Sequence, residues 1–374
     1  MRKFKSMLSE KDFIAKPLSP SIENGSFQWT APSNIALVKY WGKKNKQIPA
    51  NPSISFTLNN CKTITKLSFI KKNSSITIGA TIEKFSFDLL FEGKPKEDFK
   101  PKIQKFFERI EKYCPYLIDY HFIIDTENTF PHSSGIASSA SGMAALSMNI
   151  MSLEKALNPE MNEDFFNQKA SFLARLGSGS ACRSVKGNVV VWGKHDEIVN
   201  SSDLFGVTFP SNIHPNFNNY QDTILLVDKG EKQVSSTVGH DLMHNHPFAE
   251  QRFAQAHRNL SEMKAVLETG NLDEFIKIVE SEALTLHAMM MTSLPYFILM
   301  KPNTLEIINK IWKYRNETNI PICFTLDAGA NVHVLYPENV RDTVLQFITT
   351  ELVGYCQNGN YICDSIGTGA IKNL

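Results

Sequence analysis

Apolar positions along this chain recur with two different periods, and the change from one to the other divides its first half. From Phe27 to about Phe91, stretches such as SISFTL, TITKLSFI and SITIGATI alternate apolar with polar residues and favour β-branched side chains, which predicts strands with one buried face. After PHSSGIASS the period lengthens. Met143, Leu146, Ile150 and Leu153 recur at steps of three, four and three, one stripe of a helix that ends before Pro159. A second helical segment, EDFFNQKASFLARL, runs into the small-residue cluster GSGSACRS and then into NVVVW, a short buried strand. The second half repeats the mixture, with helices expected near 248–268, 272–291 and 303–315 and strands at ICFTLDAG and VHVLY. The class is α+β.

At 374 residues the chain exceeds one small core and fits two domains with a shared interface. Residues 200–220 are rich in Ser, Asn and Pro and mark the boundary, which divides the chain into an extension at 1–25 and domains at 26–205 and 206–374. In the extension Pro17, Pro20 and Gly25 interrupt any period, so it reads as mobile or draped over the surface, with no chemistry assigned. Hydrophobic residues at 42% and charged residues at 21% suffice for a buried core. The charge balance, 39 Lys+Arg against 38 Asp+Glu, leaves a net +1, no global field to draw nucleic acid or an anionic membrane. Neither is expected as a partner, and any anion site must be local. The six cysteines form no C-x-x-C pair, MRKFKSMLSEKDF contains no secretory apolar segment, and no apolar run nears the roughly 18 residues that cross a bilayer. A cytoplasmic protein with free thiols is expected.

Against this ordinary background, FPHSSGIASSASG (130–142) packs five serines, two glycines and two alanines into thirteen positions where a helix begins. A helix start leaves about four N–H groups without internal partners and carries partial positive charge, so it can seat a phosphate. Gly135 can take backbone angles closed to other residues, and Ser138 and Ser139 can either cap the helix or donate hydroxyls to phosphate oxygens. Two cationic clusters accompany it. NIALVKYWGKKN places Lys39, Tyr40, Lys43 and Lys44 within six residues, and GSGSACRS presents Arg183 after two serines and two glycines; a guanidinium there can grip phosphate or carboxylate through two bonds. Each cation could equally be an ordinary surface charge. In FTLDAGAN, Asp327 ends an apolar strand just ahead of Gly329, either as a turn cap or as a carboxylate that orients or deprotonates a hydroxyl in phosphoryl transfer.

Other chemistries fit poorly. The Gly-Lys pairs at Gly42, Gly93 and Gly193 lack the upstream glycine and downstream Ser/Thr of a Walker loop, and in GSGSAC, Cys182 stands where a dinucleotide fingerprint needs its third glycine. His240, His244 and His246 lack a carboxylate or cysteine partner at ligand spacing and are expected at the surface. No G-x-S-x-G elbow occurs.

The blocks SNIALVKYWGKK, NPSISFTL, NTFPHSSGIASSASGMAAL, RLGSGSACRSVKG, SSTVG and FTLDAGANV closely resemble, in order, those of the diphosphomevalonate decarboxylase family of the GHMP kinase superfamily. The resemblance implies a two-domain GHMP kinase-like fold, with a ribosomal protein S5 domain 2-like N-terminal half and a ferredoxin-like C-terminal half. It implies a lyase of isoprenoid biosynthesis that uses ATP and Mg²⁺ on (R)-mevalonate 5-diphosphate, and possible homodimers. By resemblance, Pro131, Gly135, Ala137, Ser138, Ser139 and Ala140 hold the nucleotide, with Ser138 and Ser139 near Mg²⁺. Tyr40, Trp41, Gly42 and Lys43, the run Ser178, Gly179, Ser180, Ala181, Cys182 and Arg183, and Thr237 hold the substrate, and Asp327, Lys39 and Arg183 are catalytic. The chain departs from the family at Asn188, Ala330 and Glu282, the last adding a negative charge. A mevalonate 5-phosphate decarboxylase, a 3-kinase or a non-catalytic nucleotide binder on the same fold remain as alternatives. Such kinases, by the same resemblance, lack the Asp and Lys pair.

Overall fold

A computed structural model describes residues 8–16, 21–72, 84–131, 136–228 and 236–373. The strand expected at SITIGATI and the site residue Gly135 lie outside them. The first half opens with the long strand β1 (Asn24–Val38), a small hairpin of β2 (Lys43–Lys44) and β3 (Ile48–Pro49), and β4 (Ser53–Lys71). β1 and β4 pair antiparallel from Asn24↔Ile70 to Val38↔Ile54, with register shifts between Pro32 and Asn34 and between Ala36 and Val38. Pro32 has no N–H to give the ladder, so the first irregularity falls beside it. Along β4 the odd residues from Cys61 to Phe69 are buried and the even ones are not, whereas Ser53–Leu58 is buried throughout. One end of the strand is therefore half-solvated and the other lies between two layers.

The half continues through β5 (Ser86–Phe91), β6 (Lys94–Pro95), α1 (Lys100–Ile110), β7 (Tyr120–Asn128), α2 (Ser138–Leu157), α3 (Glu163–Gly177), β8 (Val189–Trp192) and β9 (Val207–Thr208). β7 and β8 both pair with β4, at opposite ends of it. The stripe Met143, Leu146, Ile150 and Leu153 of α2 is buried as its period predicts, but Ser141, Ser147, Asn149 and Glu154 on its other faces are buried too. Polar side chains there are spent on neighbours: Asn149 Nδ2 donates to Thr65 O at 2.9 Å, Trp29 Nε1 donates to Ser152 Oγ at 2.8 Å, and Lys169 pairs with Glu154 at 2.6 Å. α2 is thus a central helix, enclosed on every side.

The second half contributes β10 (Gln221–Leu225), α4 (Ser236–Asp241), α5 (Ala249–Thr269), α6 (Leu272–Met291), α7 (Pro302–Thr318), β11 (Cys323–Leu326), β12 (Val332–Tyr336), α8 (Arg341–Phe347), β13 (Tyr361–Ser365) and β14 (Ile371–Lys372). Its antiparallel sheet runs β11-β12-β10-β13, while β14 returns to the first sheet and pairs with β1 at Trp29↔Lys372. One apolar core belongs to both halves: Ile35, Leu37 and Phe56 pack in the same cluster as Ile224, Leu260 and Phe275. Among the described residues no helix is long and apolar enough to cross a membrane.

The N-terminal segment differs from its sequence reading. Residues Glu10–Phe13 form a 3₁₀ turn, and the Phe13 ring is completely buried, stacked on Phe172 at 4.4 Å between ring centres and edge-on to Phe205 at 6.0 Å. A single aromatic anchor has no period, which is why the pattern missed it. Phe13→Ala is expected to destabilise the protein by about 3–5 kcal/mol, read as a fall in the denaturant midpoint; an unchanged midpoint would show that the segment is not part of the core.

Candidate functional site

Lys39 follows the last residue of β1 and is only 1% exposed. Its Nζ lies 3.4 Å from Asp327 Oδ1, a carboxylate that follows β11 and keeps a third of its side chain open to solvent. Burial pulls the Lys39 amine below its usual range, Asp327 and Glu282 push it back up, and nearby Arg183 pulls it down again. Asp327 is held through its carbonyl oxygen, which accepts from Gly329 N at 2.8 Å and from His287 Nε2 at 3.1 Å.

Arg183 comes from the 3₁₀ segment Gly179–Ser184, between α3 and β8. It is buried, donates to Ser53 Oγ at 2.6 Å and to Asn34 Oδ1 at 3.3 Å, and lies over the Trp192 ring at 5.8 Å. No carboxylate takes up its charge in those bonds, so the guanidinium remains available to an anion in the cleft. Gly179 is required by close packing: a Cβ there would sit 3.0 Å from both Tyr40 Oη and Trp192 Cη2. Of the sequence-predicted run, Ser178 and Ser180 are partly exposed, while Ala181 and Cys182 face the interior. Burial pushes the Cys182 thiol up to about 12, which leaves it an inert support.

Tyr40 packs edge-on against Trp192 at 4.6 Å and against His240 at 4.2 Å, and Trp41 lies on His240 at 4.6 Å. Gly42 N donates to His240 Nδ1 at 3.0 Å, and Lys43 pairs with Asp241 at 3.2 Å. His240 is therefore held in the site by both aromatic rings and by the chain between Trp41 and Lys43. This corrects its reading as a surface residue, since it is half-buried; His246 is buried, against Met289 O at 3.1 Å, and of the three only His244 is exposed. Among the described residues no three His, Cys, Asp or Glu side chains group to hold a metal. Thr237 belongs to α4, but its side chain is not among those described.

The first turn of α2 is entered through Ala137, in the left-handed region at φ 46°, with no side-chain cap. The serine-cap alternative is not adopted. Ser139 Oγ instead meets Ser178 Oγ at 3.0 Å, and Ser141 Oγ meets Thr63 Oγ1 at 2.6 Å. The first N–H groups of the helix have no intrahelical partner by geometry, and a non-glycine residue strained at this point is a common mark of a ligand site. Ala140 is buried beneath that turn, and Pro131 is exposed before it. Beside the turn opens a cavity of about 260 Å³, lined by Leu89, Phe91, Ile103, Met143, Thr126 and Asn128 among others, with Ser138 and Ser139 on its wall. The Ser139–Ser178 contact joins this turn to the loop of Arg183. Lys39 and Asp327 are thus in contact, with Arg183 close enough to act on the Lys39 amine, and the start of α2 touches the loop that carries Arg183.

Two family models divide the chain between them: the diphosphomevalonate decarboxylase-like N-terminal domain matches residues 31–203 and the mevalonate 5-diphosphate decarboxylase C-terminal domain matches residues 223–366. The chain belongs to the diphosphomevalonate decarboxylase family. Among curated relatives of that name, the one from Debaryomyces hansenii is 30% identical over 337 residues, 85% of this chain and 81% of its own length. That from Saccharomyces cerevisiae is 30% identical over 338 residues, covering 85% and 80%. Mevalonate diphosphate decarboxylase from Staphylococcus aureus superposes with a TM-score of 0.78 at 28% identity, over 94% of this chain and 98% of that one. A structure of MDDEF in complex with MVAPP, AMPPCP and magnesium gives 0.78 at 27% identity, over 93% and 98%.

Four residues that contact this cleft's machinery escaped the sequence reading or were misjudged in it: Arg252, Glu282, His240 and His287. Glu282 does not put free negative charge in the cleft, because Arg252 pairs with it at 2.5 Å in full burial. Burial lowers His240 to about 3, helped by Lys43 and Arg183, and lowers His287 to about 4. Both imidazoles are neutral when folded and charge only when unfolded below their ordinary value of 6.5. Their contribution to stability is therefore present above pH 6.5 and lost as the pH falls. Between pH 6.5 and 5 unfolding free energy should decline with acid, and His240→Gln should reduce that slope by about one proton; an unchanged slope, measured by denaturant titration, would show that His240 titrates normally.

Proposed function

We propose that this chain catalyses the ATP-dependent decarboxylation of (R)-mevalonate 5-diphosphate to isopentenyl diphosphate, a step of isoprenoid biosynthesis, and that the residues of the cleft divide the work as follows. The reading rests on the buried Lys39 against the part-open Asp327, with support from Arg183 beside them and from the Ser139–Ser178 contact that ties its loop to the start of α2. Asp327 accepts the proton of the C3 hydroxyl as that oxygen bonds to the γ-phosphorus and the bond to ADP breaks. The C3–phosphate bond then breaks, inorganic phosphate leaves, and the electrons of the bond to the carboxylate become the new double bond as CO₂ departs. Lys39 pairs with Asp327 and adds positive charge where phosphoryl oxygens gather. Arg183 holds the substrate carboxylate or its neighbouring diphosphate, and Tyr40, whose hydroxyl burial pushes far above its usual range, serves only as a neutral donor.

The residues present suit a nucleotide. Phosphates suit the helix start at Ser138 and Ser139, and the adjoining cavity, apolar on most sides with Thr126 and Asn128 as polar points, suits the base. Hydroxyls at Ser138 and Ser139 suit Mg²⁺ carried on the triphosphate, since that ion keeps most of its shell as water and phosphate oxygen. When bound, Mg²⁺ neutralises charge on the transferred group. Tyr40, Trp41, Gly42, Lys43, Ser178 and Ser180 line the substrate side.

The test incubates the protein with ATP, Mg²⁺ and mevalonate bearing zero, one or two 5-phosphates, and measures ADP and CO₂ separately. Equal release with the diphosphate alone is expected; ADP without CO₂ would make the enzyme a kinase. Asp327→Asn should lose about 100- to 1,000-fold in rate, and turnover at the wild-type rate would refute its role.

A further inference from the structure

The two side chains that meet in the cleft come from opposite halves of the chain, yet the backbones of both are held by one helix. On α6, Glu282 Oε2 accepts from Lys39 N at 2.8 Å, and five residues on, His287 Nε2 donates to Asp327 O at 3.1 Å. Glu282 does not act alone. Arg252 of α5 binds it through both terminal nitrogens, at 3.0 and 2.5 Å, and the same Nη2 donates to Lys39 O at 3.0 Å, while Asn51 Nδ2 donates to that oxygen at 2.9 Å. Asn259 Nδ2 completes the shell of Glu282 Oε1 at 2.6 Å.

Stability alone explains this arrangement poorly. A buried ion pair such as Arg252–Glu282 is often no better for a fold than well-packed apolar side chains. What apolar residues could not do is receive a backbone N–H and supply a donor to the same residue's carbonyl. Lys39 needs both, because β1 ends at Val38 and the ladder gives its buried peptide groups no partners. Glu282 and His287 are 0% and 1% exposed, so water does not compete for either contact.

We infer that Glu282, with Arg252, and His287 are positioning residues, and that α6 sets the distance between the Lys39 ammonium and the Asp327 carboxylate. This rests on the reading that those two groups carry the chemistry, and it accounts for the carboxylate at position 282 as a buried acceptor rather than a stray charge. A displacement of about 1 Å at either end costs up to roughly 100-fold in turnover without weakening substrate binding.

Three variants test it: the charge-free pair Arg252→Leu/Glu282→Met, His287→Leu, which removes the donor, and His287→Gln, whose amide nitrogen can reach the position of Nε2. Turnover should fall about 10- to 100-fold in the first two, with KM for ATP and for the mevalonate substrate within about twofold, and His287→Gln should recover most of the loss. Crystal structures of the same proteins supply a readout free of activity: Lys39 Nζ and Asp327 Oδ1 should separate beyond about 4 Å in the impaired variants. Wild-type turnover in either folded variant, a loss confined to KM, or an unaltered separation would overturn the inference; should the paired variant not fold, the two His287 variants decide it alone. A wild-type enzyme without CO₂ release but with separated side chains in the variants would sink the proposed reaction and leave the positioning role standing.

Discussion

An ammonium almost sealed from water persists only where an opposite charge stands close to it, and in this protein that charge is delivered from the far half of the chain. Lys39 is built on the first long strand and Asp327 on the turn after β11. Much of the architecture between them serves their meeting. β1 carries its exposed end away to the outer sheet and its buried end into the core that both halves share, so the lysine emerges where the second half can reach it. The site is therefore a product of tertiary assembly and cannot exist in either half alone.

The same logic governs the anion side of the cleft. With a net charge near zero the protein has no long-range pull on a phosphorylated ligand, so on the proposed reading attraction is left to the start of α2 and to the buried cations Arg183 and Lys39. Backbone dipoles and fixed cations cost no reorganisation when charge develops between them. The left-handed Ala137 is a point of local backbone strain at the entry to α2.

Much of the fold could be read from periodicity, because burial imposes it. The alternation in β4 and the helical spans of α5, α6 and α7 come directly from which face meets the core. What periodicity cannot register is an element without a period: the lone anchor Phe13, or the two-residue strand β14 that finds its partner in β1. In the site, Lys39, Arg183 and Asp327 stood out because they lie in short runs of unusual composition that resemble a known family. Arg252 had no such setting. On its helix it looks like Arg258, six residues further along, and only packing shows that Arg252 is buried against Glu282. His240 was judged by what it lacked for metal binding, and its actual partners, Tyr40, Trp41 and Gly42, are about two hundred residues away in the chain. Spacing along a sequence carries no trace of such neighbours.

The core common to both halves also limits how ligands can come and go. Swinging the halves apart would drag Ile35, Leu37 and Phe56 away from Ile224, Leu260 and Phe275. Wetting even about 400 Å² of apolar surface costs roughly 10 kcal/mol, as much as a whole domain commonly has to spare. A hinge that ran through this shared core would therefore cost about as much as unfolding it, so movement elsewhere in the chain is the cheaper way to admit and release ligands.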